Sequence, residues 1–203
     1  MTIRSGARAR VWVAASTSVL AVLLFVACGG SSGHPASAPA PSAAAPATTA
    51  TTPTTLPDVA PTAASFVNIN TMTRVDDHFV GSFNGHLAAA LAVAHSKNGG
   101  VYPVGTVIQL VPQEAMIKRY KGYSPGTHDW EMFSLKVSAQ GTKIVTEGKT
   151  NVVNQFGANC ASCHAAATSR FDFVCGKTHG CAPLPLTDAL IASIQKGDPR
   201  PKS

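Results

Sequence analysis

The sequence predicts an α+β domain, an antiparallel β-sheet with flanking helices and a cysteine-bearing helix after the last strand. Three observations carry this expectation. The middle of the chain holds β-branched and alternating segments bounded by turn residues. Alanine-rich segments with polar capping residues lie before and after them. The N-terminal third has neither pattern, so the folded unit is confined to residues 65–203, one domain's length of chain.

In order along that domain, residues 73–82 read as a lead-in with a short apolar segment. Asn84 is placed to cap a helix over Leu87, Ala88, Leu91, Ala92 and His95, which Asn98-Gly99-Gly100 stops. The β-branched run 105–111 reads as a strand ending at Pro112, and residues 115–120 as a second. Residues 130–138 alternate, 139–142 make a turn and 143–147 return, which is a hairpin signal. A helix is expected over 153–168, capped by Asn154 or Asn159, and a last short one over 187–195. No internal repeat is visible.

The N-terminal third reads as targeting sequence and tether. Arg4, Arg8 and Arg10 precede an uncharged run of 16 residues, Val11 to Val26, which is short for a spanning helix and suits a signal peptide. The run ends in Ala27-Cys28-Gly29 and resembles a bacterial lipobox, although Phe25 stands where leucine is usual. Residues 1–28 then form a lipoprotein-type signal peptide, with Cys28 as the lipidated N-terminus of the mature chain; the alternative is an uncleaved anchor with an incidental cysteine. Either way the domain lies on the extracytoplasmic side. Residues 29–64, rich in Ala, Pro, Thr and Ser, have nothing to pack and read as an extended, disordered tether.

Charge narrows the function classes. Charged residues make up 13% of the chain, about half the usual share. The formal net charge of +6 falls to +4 for residues 65–203, which hold 13 basic and 9 acidic residues. No Lys/Arg cluster interleaves with aromatic residues, so no nucleic-acid partner is expected. The basic run Lys118-Arg119-Tyr120-Lys121 reads as the solvated end of a strand. No Ser/His/Asp set or carboxylate pair points to hydrolysis.

The most specific feature is Cys160-Ala161-Ser162-Cys163-His164. Two cysteines three apart lie on one helical turn and reach the two vinyl groups of a haem, and the histidine that follows lies beneath the iron. One covalent haem c is therefore expected, with Cys160 and Cys163 as thioether attachments and His164 as proximal ligand. A zinc site is the alternative, in which Cys160, Cys163, Cys175 and Cys181, with His164 or His179, staple a binding module without redox activity. A thioredoxin-like redox pair lacks the βαβ context that it needs. The oxidising compartment implied by the leader favours haem, and so does the cysteine count of five. With Cys28 lipidated and Cys160 and Cys163 on haem, Cys175 and Cys181 remain to form a disulfide, closing a short loop worth roughly 2 kcal/mol.

From residue 102 to residue 174 the chain resembles the cytochrome P-460 family, including the beta-type cytochromes c-prime. The matching residues are Tyr102-Pro103-Val104-Gly105-Thr106-Val107, Asp129-Trp130-Glu131-Met132-Phe133, the Cys160–His164 run with Ala165 and Ala166, and Phe171-Asp172-Phe173-Val174. The resemblance implies a monohaem c domain on a mainly antiparallel sheet, often dimeric, with hydroxylamine or nitric oxide oxidation in enzymatic members; a closed iron would instead favour electron transfer with a redox protein as partner, and an open one small gases or peroxide. The resemblance also implies, in enzymatic members, a lysine crosslinked to the porphyrin, for which Lys97, Lys118 and Lys121 are candidates.

What faces the iron's other side decides between these activities. Met72, Met116 and Met132, and His78, His86, His95, His128 and His179, are available. In a strand over 115–120, Met116 and Lys118 share a face, which makes Met116 the first choice for a distal residue. A methionine at that spacing is otherwise core, and Trp130 and Phe133 pack the core or line the haem pocket.

Overall fold

The computed structural model describes Asp58 and residues 60–202. The segments expected to form a signal peptide and tether, Cys28 included, lie almost wholly outside the described residues. The fold is α+β. Six strands, β1 (Thr73–Val75), β2 (His78–Ser82), β3 (Thr106–Gln109), β4 (Glu114–Lys118), β5 (Trp130–Ser138) and β6 (Gly141–Gly148), form one antiparallel sheet in sequence order. Helix α1 (Leu87–Ala94) sits in the β2–β3 connection, and α2 (Cys160–His164) and α3 (Asp188–Lys196) follow β6.

The alternation seen in residues 130–138 becomes β5, whose neighbours bury opposite faces of the sheet. On one face Val75, Val80, Ile108, Met116, Trp130 and Met132 pack with Ala90 of α1, Ala161 of α2, Phe173 and Val174. On the other, Val107, Ala115, Ile117, Phe133 and Leu135 pack against Phe66. Trp130, Ile117 and Phe133 are each 0% exposed, so the sheet buries apolar side chains on both faces at β4 and β5, while no residue of β6 is fully buried.

Several local expectations change. The lead-in is a β-hairpin, closed at Asp76, whose φ of 50° puts a non-glycine residue in the left-handed region. Asn84 does not cap α1. His86 occupies that position without a side-chain bond, and the Asn84 amide donates instead to Val104 O at 2.6 Å. The helix expected over 153–168 shortens to α2, five residues capped by Asn159, whose side chain accepts from Ser162 N at 2.9 Å. Asn154 caps a separate turn through Phe156 N and Ala158 N. Ala165, Ala166 and Ala167 continue as turn, because Thr168 N donates across to His179 O at 2.7 Å. Tertiary bonding here outweighs alanine's propensity.

The basic run is solvated only in its second half, at Tyr120 and Lys121. Lys118 is buried, and Arg119 pairs with Glu131 and with Asp58. These two carboxylates hold the guanidinium well above its ordinary range, Asp58 first, against the opposing effect of burial. The described end of the tether segment also makes contacts, because Thr62 starts a turn over Ala63–Ser65.

The two ends of the domain meet. Arg200 Nε and Nη2 donate to the Asp198 carboxylate at 2.9 and 2.6 Å, and Asp198 Oδ2 accepts from Ile69 N at 2.8 Å. Asn68 Nδ2 donates to Arg200 O at 2.6 Å, and Arg200 Nη1 to Phe66 O at 3.0 Å. Asp198 and Arg200 are 8% and 4% exposed.

Candidate functional site at the Cys160–His164 turn

Helix α2 is placed from both sides. Before it, Cys160 N donates to Val152 O at 3.0 Å, and Asn159 Nδ2 to Thr150 O at 2.8 Å, which ties the turn to the chain leaving β6. After it, Gly99 and Gly100 pass closely by the backbone at Arg170, with Gly100 N donating to Arg170 O at 2.8 Å. A Cβ on Gly99, whose φ is +72°, would lie 2.0 Å from that oxygen. Only glycine allows this approach.

Within α2, Cys160 and Cys163 are both free thiols, the first half-buried and the second exposed. Burial, with the Glu114 carboxylate nearby, pushes the Cys160 thiol up to about 11, so it is protonated at neutral pH. His164 is half-buried, and its ring lies 6.1 Å from that of Phe173 at 28°. Its Nδ1 is 2.9 Å from Phe173 O. A carbonyl only accepts, so Nδ1 carries the proton and Nε2 keeps its lone pair. Burial pushes the imidazole below its usual range, against the bond to Phe173 O, which raises it. The ring is thus neutral and oriented, as a metal-bound imidazole must be.

Cys175 and Cys181 form the expected disulfide. As disulfide sulfurs they offer no thiolate, so the four-cysteine zinc set of the alternative reading is not assembled. Among the described residues no group of three or more His, Cys, Asp or Glu side chains converges as a metal site. The disulfide loop instead packs against the segment that follows α2. His179 stacks on Phe171 with ring centres 3.7 Å apart, and its Nδ1 donates to Val174 O at 2.8 Å.

The remaining candidates are distributed as follows. Met116 is 3% exposed, shares a face of β4 with Lys118, and belongs to the cluster that Cys160 packs against. Trp130 lies in that cluster and Phe133 on the opposite face. Lys97 and Lys121 are exposed. The ammonium of Lys118 is fully engaged, donating to both Asp172 oxygens at 2.8 Å and to His128 O at 2.5 Å. His128 and Phe173 rings lie 5.6 Å apart, which brings His128 to the same neighbourhood as His164.

Sequence reasoning missed the Phe173 carbonyl, because a main-chain acceptor has no residue signature. It also missed Asp172 as the partner of Lys118, 54 positions away. Compared with family models, curated proteins and solved structures, the chain finds no match. Among the described residues no helix is long and apolar enough to cross a membrane.

Proposed function

We propose that this chain is a c-type cytochrome of the P-460 and beta-type c-prime kind, carrying one covalent haem through Cys160 and Cys163 on the helix after the last strand. His164 serves as its proximal ligand. The observation that carries this reading is the donor set on α2, two free thiols on one helical turn and a neutral imidazole whose Nδ1 is bonded to Phe173 O. That set fits the group. Haem takes two thioethers and one axial nitrogen from the protein, so it needs no converging cluster of side chains. Bound haem supplies a one-electron redox centre. The residues of this chain hold it, fix the axial imidazole by its far nitrogen, and keep that imidazole unprotonated. The reading places the protein at the extracytoplasmic face of the membrane, lipid-anchored through Cys28, in electron transfer or in redox chemistry on nitric oxide, hydroxylamine or peroxide, with a redox partner protein and a homodimeric state. The leader and tether support that location from sequence alone.

The test is an optical spectrum of the purified protein, oxidised, reduced, and reduced with carbon monoxide, beside a haem stain on a denaturing gel. Haem bands and a stained polypeptide are expected, and Cys160→Ala with Cys163→Ala should abolish the stain. No haem absorption in the wild-type protein refutes the proposal. A Soret band that shifts with carbon monoxide assigns small-molecule chemistry, and an unchanged one assigns electron transfer with a closed sixth position, for which Met116→Leu tests the distal residue.

A further inference from the structure

Directly behind the ligand turn lies a tightly bonded buried polar cluster. Asp172 is 3% exposed and Lys118 5%. Lys118 Nζ donates to both carboxylate oxygens of Asp172 at 2.8 Å, and Tyr102 N donates to Oδ2 at 2.8 Å. Trp130 Nε1 donates to the main-chain oxygen of the same residue at 2.6 Å. Asp172 is therefore gripped by its side chain and its backbone together. This grip has something to oppose. Asp172 and Phe173 have φ values of 52° and 69°, consecutive left-handed residues with side chains, a conformation that persists only where surrounding contacts impose it. The carbonyl that this turn presents is Phe173 O, the acceptor for His164 Nδ1. A buried ion pair is a weak source of net stability, so what this one offers the turn is a fixed position.

We infer that Lys118 and Asp172 are a positioning pair for the axial histidine. By holding the left-handed turn at residues 172–173, they aim the Phe173 carbonyl at His164 Nδ1 and so set the donor strength of Nε2. The inference rests on the haem reading above. A bond accepted from Nδ1–H makes the imidazole a stronger ligand, which favours ferric over ferrous iron. Loosening the turn weakens that bond and raises the reduction potential.

The experiment compares full-length wild-type holoprotein with Asp172→Asn, Lys118→Met and a control, Asp198→Asn, which breaks another buried ion pair whose partners are Arg200 and Ile69. Two quantities are read, the reduction potential and the ring-nitrogen NMR shifts of His164. Asp172→Asn and Lys118→Met should each move the potential upward and shift the Nδ1 resonance, with haem still covalently attached. Asp198→Asn should lower thermal stability and leave both readouts at wild-type values. Should Asp172→Asn fail to fold, Lys118→Met carries the same readouts. An unchanged potential and Nδ1 shift in the pair variants overturns the positioning role, as does an equal change in Asp198→Asn. A wild-type protein without haem overturns the function proposed above. The Nδ1 shift then still decides whether the pair holds the His164 tautomer, with an unmoved shift in Asp172→Asn refuting it.

Discussion

Replacing Asp198 by Asn should cost the domain about 3–5 kcal/mol at neutral pH, the usual loss when one partner of a buried pair is removed. The structure says why the upper part of the usual mutational range applies. The carboxylate accepts from Arg200 Nε, Nη2 and N and from Ile69 N, and all of this lies away from water. The variant leaves a 4%-exposed guanidinium without its counter-charge. The loss should also depend on pH. Burial on its own raises the Asp198 carboxyl, but the bonds from Arg200 and from Ile69 N outweigh it and hold the group below its ordinary value. A depressed carboxylate contributes stability above the unfolded value of about 3.9 and loses it as pH falls through the folded value. The gap between wild type and variant should therefore be full at pH 7 and shrink below about pH 4. Urea unfolding followed by the fluorescence of Trp130, the tryptophan of residues 65–203 and 0% exposed, measures both. A cost under about 1 kcal/mol at pH 7, the scale of an exposed pair, or a gap that widens in acid, refutes the reasoning.

Two further expectations follow from the site's surroundings. Removing the disulfide with Cys175→Ala and Cys181→Ala should cost roughly 2 kcal/mol, the value for a short closed loop, while haem staining persists; loss of the stain would show that the loop does more than brace Phe171 and Val174. Gly99→Ala should destabilise by at least about 2 kcal/mol because its methyl meets Arg170 O, whereas Gly122→Ala, with φ +91° but nothing within 4 Å, should cost only about 1–2 kcal/mol. Equal losses in thermal unfolding would mean that backbone strain, not the close approach, sets the penalty.

The sheet was legible wherever a segment declared its own period. Residues 130–138 alternate and became β5 with the same bounds, while the turn expected over 139–142 shrinks to 139–140 and Gly141, whose φ is +114°, already opens β6. The first hairpin was not legible, because its turn is Asp76-Asp77 rather than a glycine pair. The helix over 153–168 was overextended for the opposite reason. Its alanines favour helix locally, and the bond that stops it comes from residue 179. The candidate site divides in the same way. Cys160, Cys163 and His164 are a local pattern, and the Cys175–Cys181 pairing follows from arithmetic on the cysteines. What orients His164 is a carbonyl, a left-handed turn and a lysine from the middle of the sheet, and none of these is adjacent to it in sequence. Lys118 looked solvated because its carboxylate partner is 54 positions away, and Arg119 because its two are 12 and 61 positions away.

The clasp between residues 66–69 and 198–200 bears on how the domain is made. A sheet whose spatial order equals its sequence order lets each strand pair with the one synthesised just before it, a topology of short-range contacts that can be laid down as the chain emerges. Asn68 breaks that order. Its side chain waits for a carbonyl 132 residues downstream, so the first segment of the domain is completed by nearly the last. A nascent chain can thus hold its whole sheet and helix α2 while its ends are still open, and closure is deferred until Asp198 and Arg200 arrive.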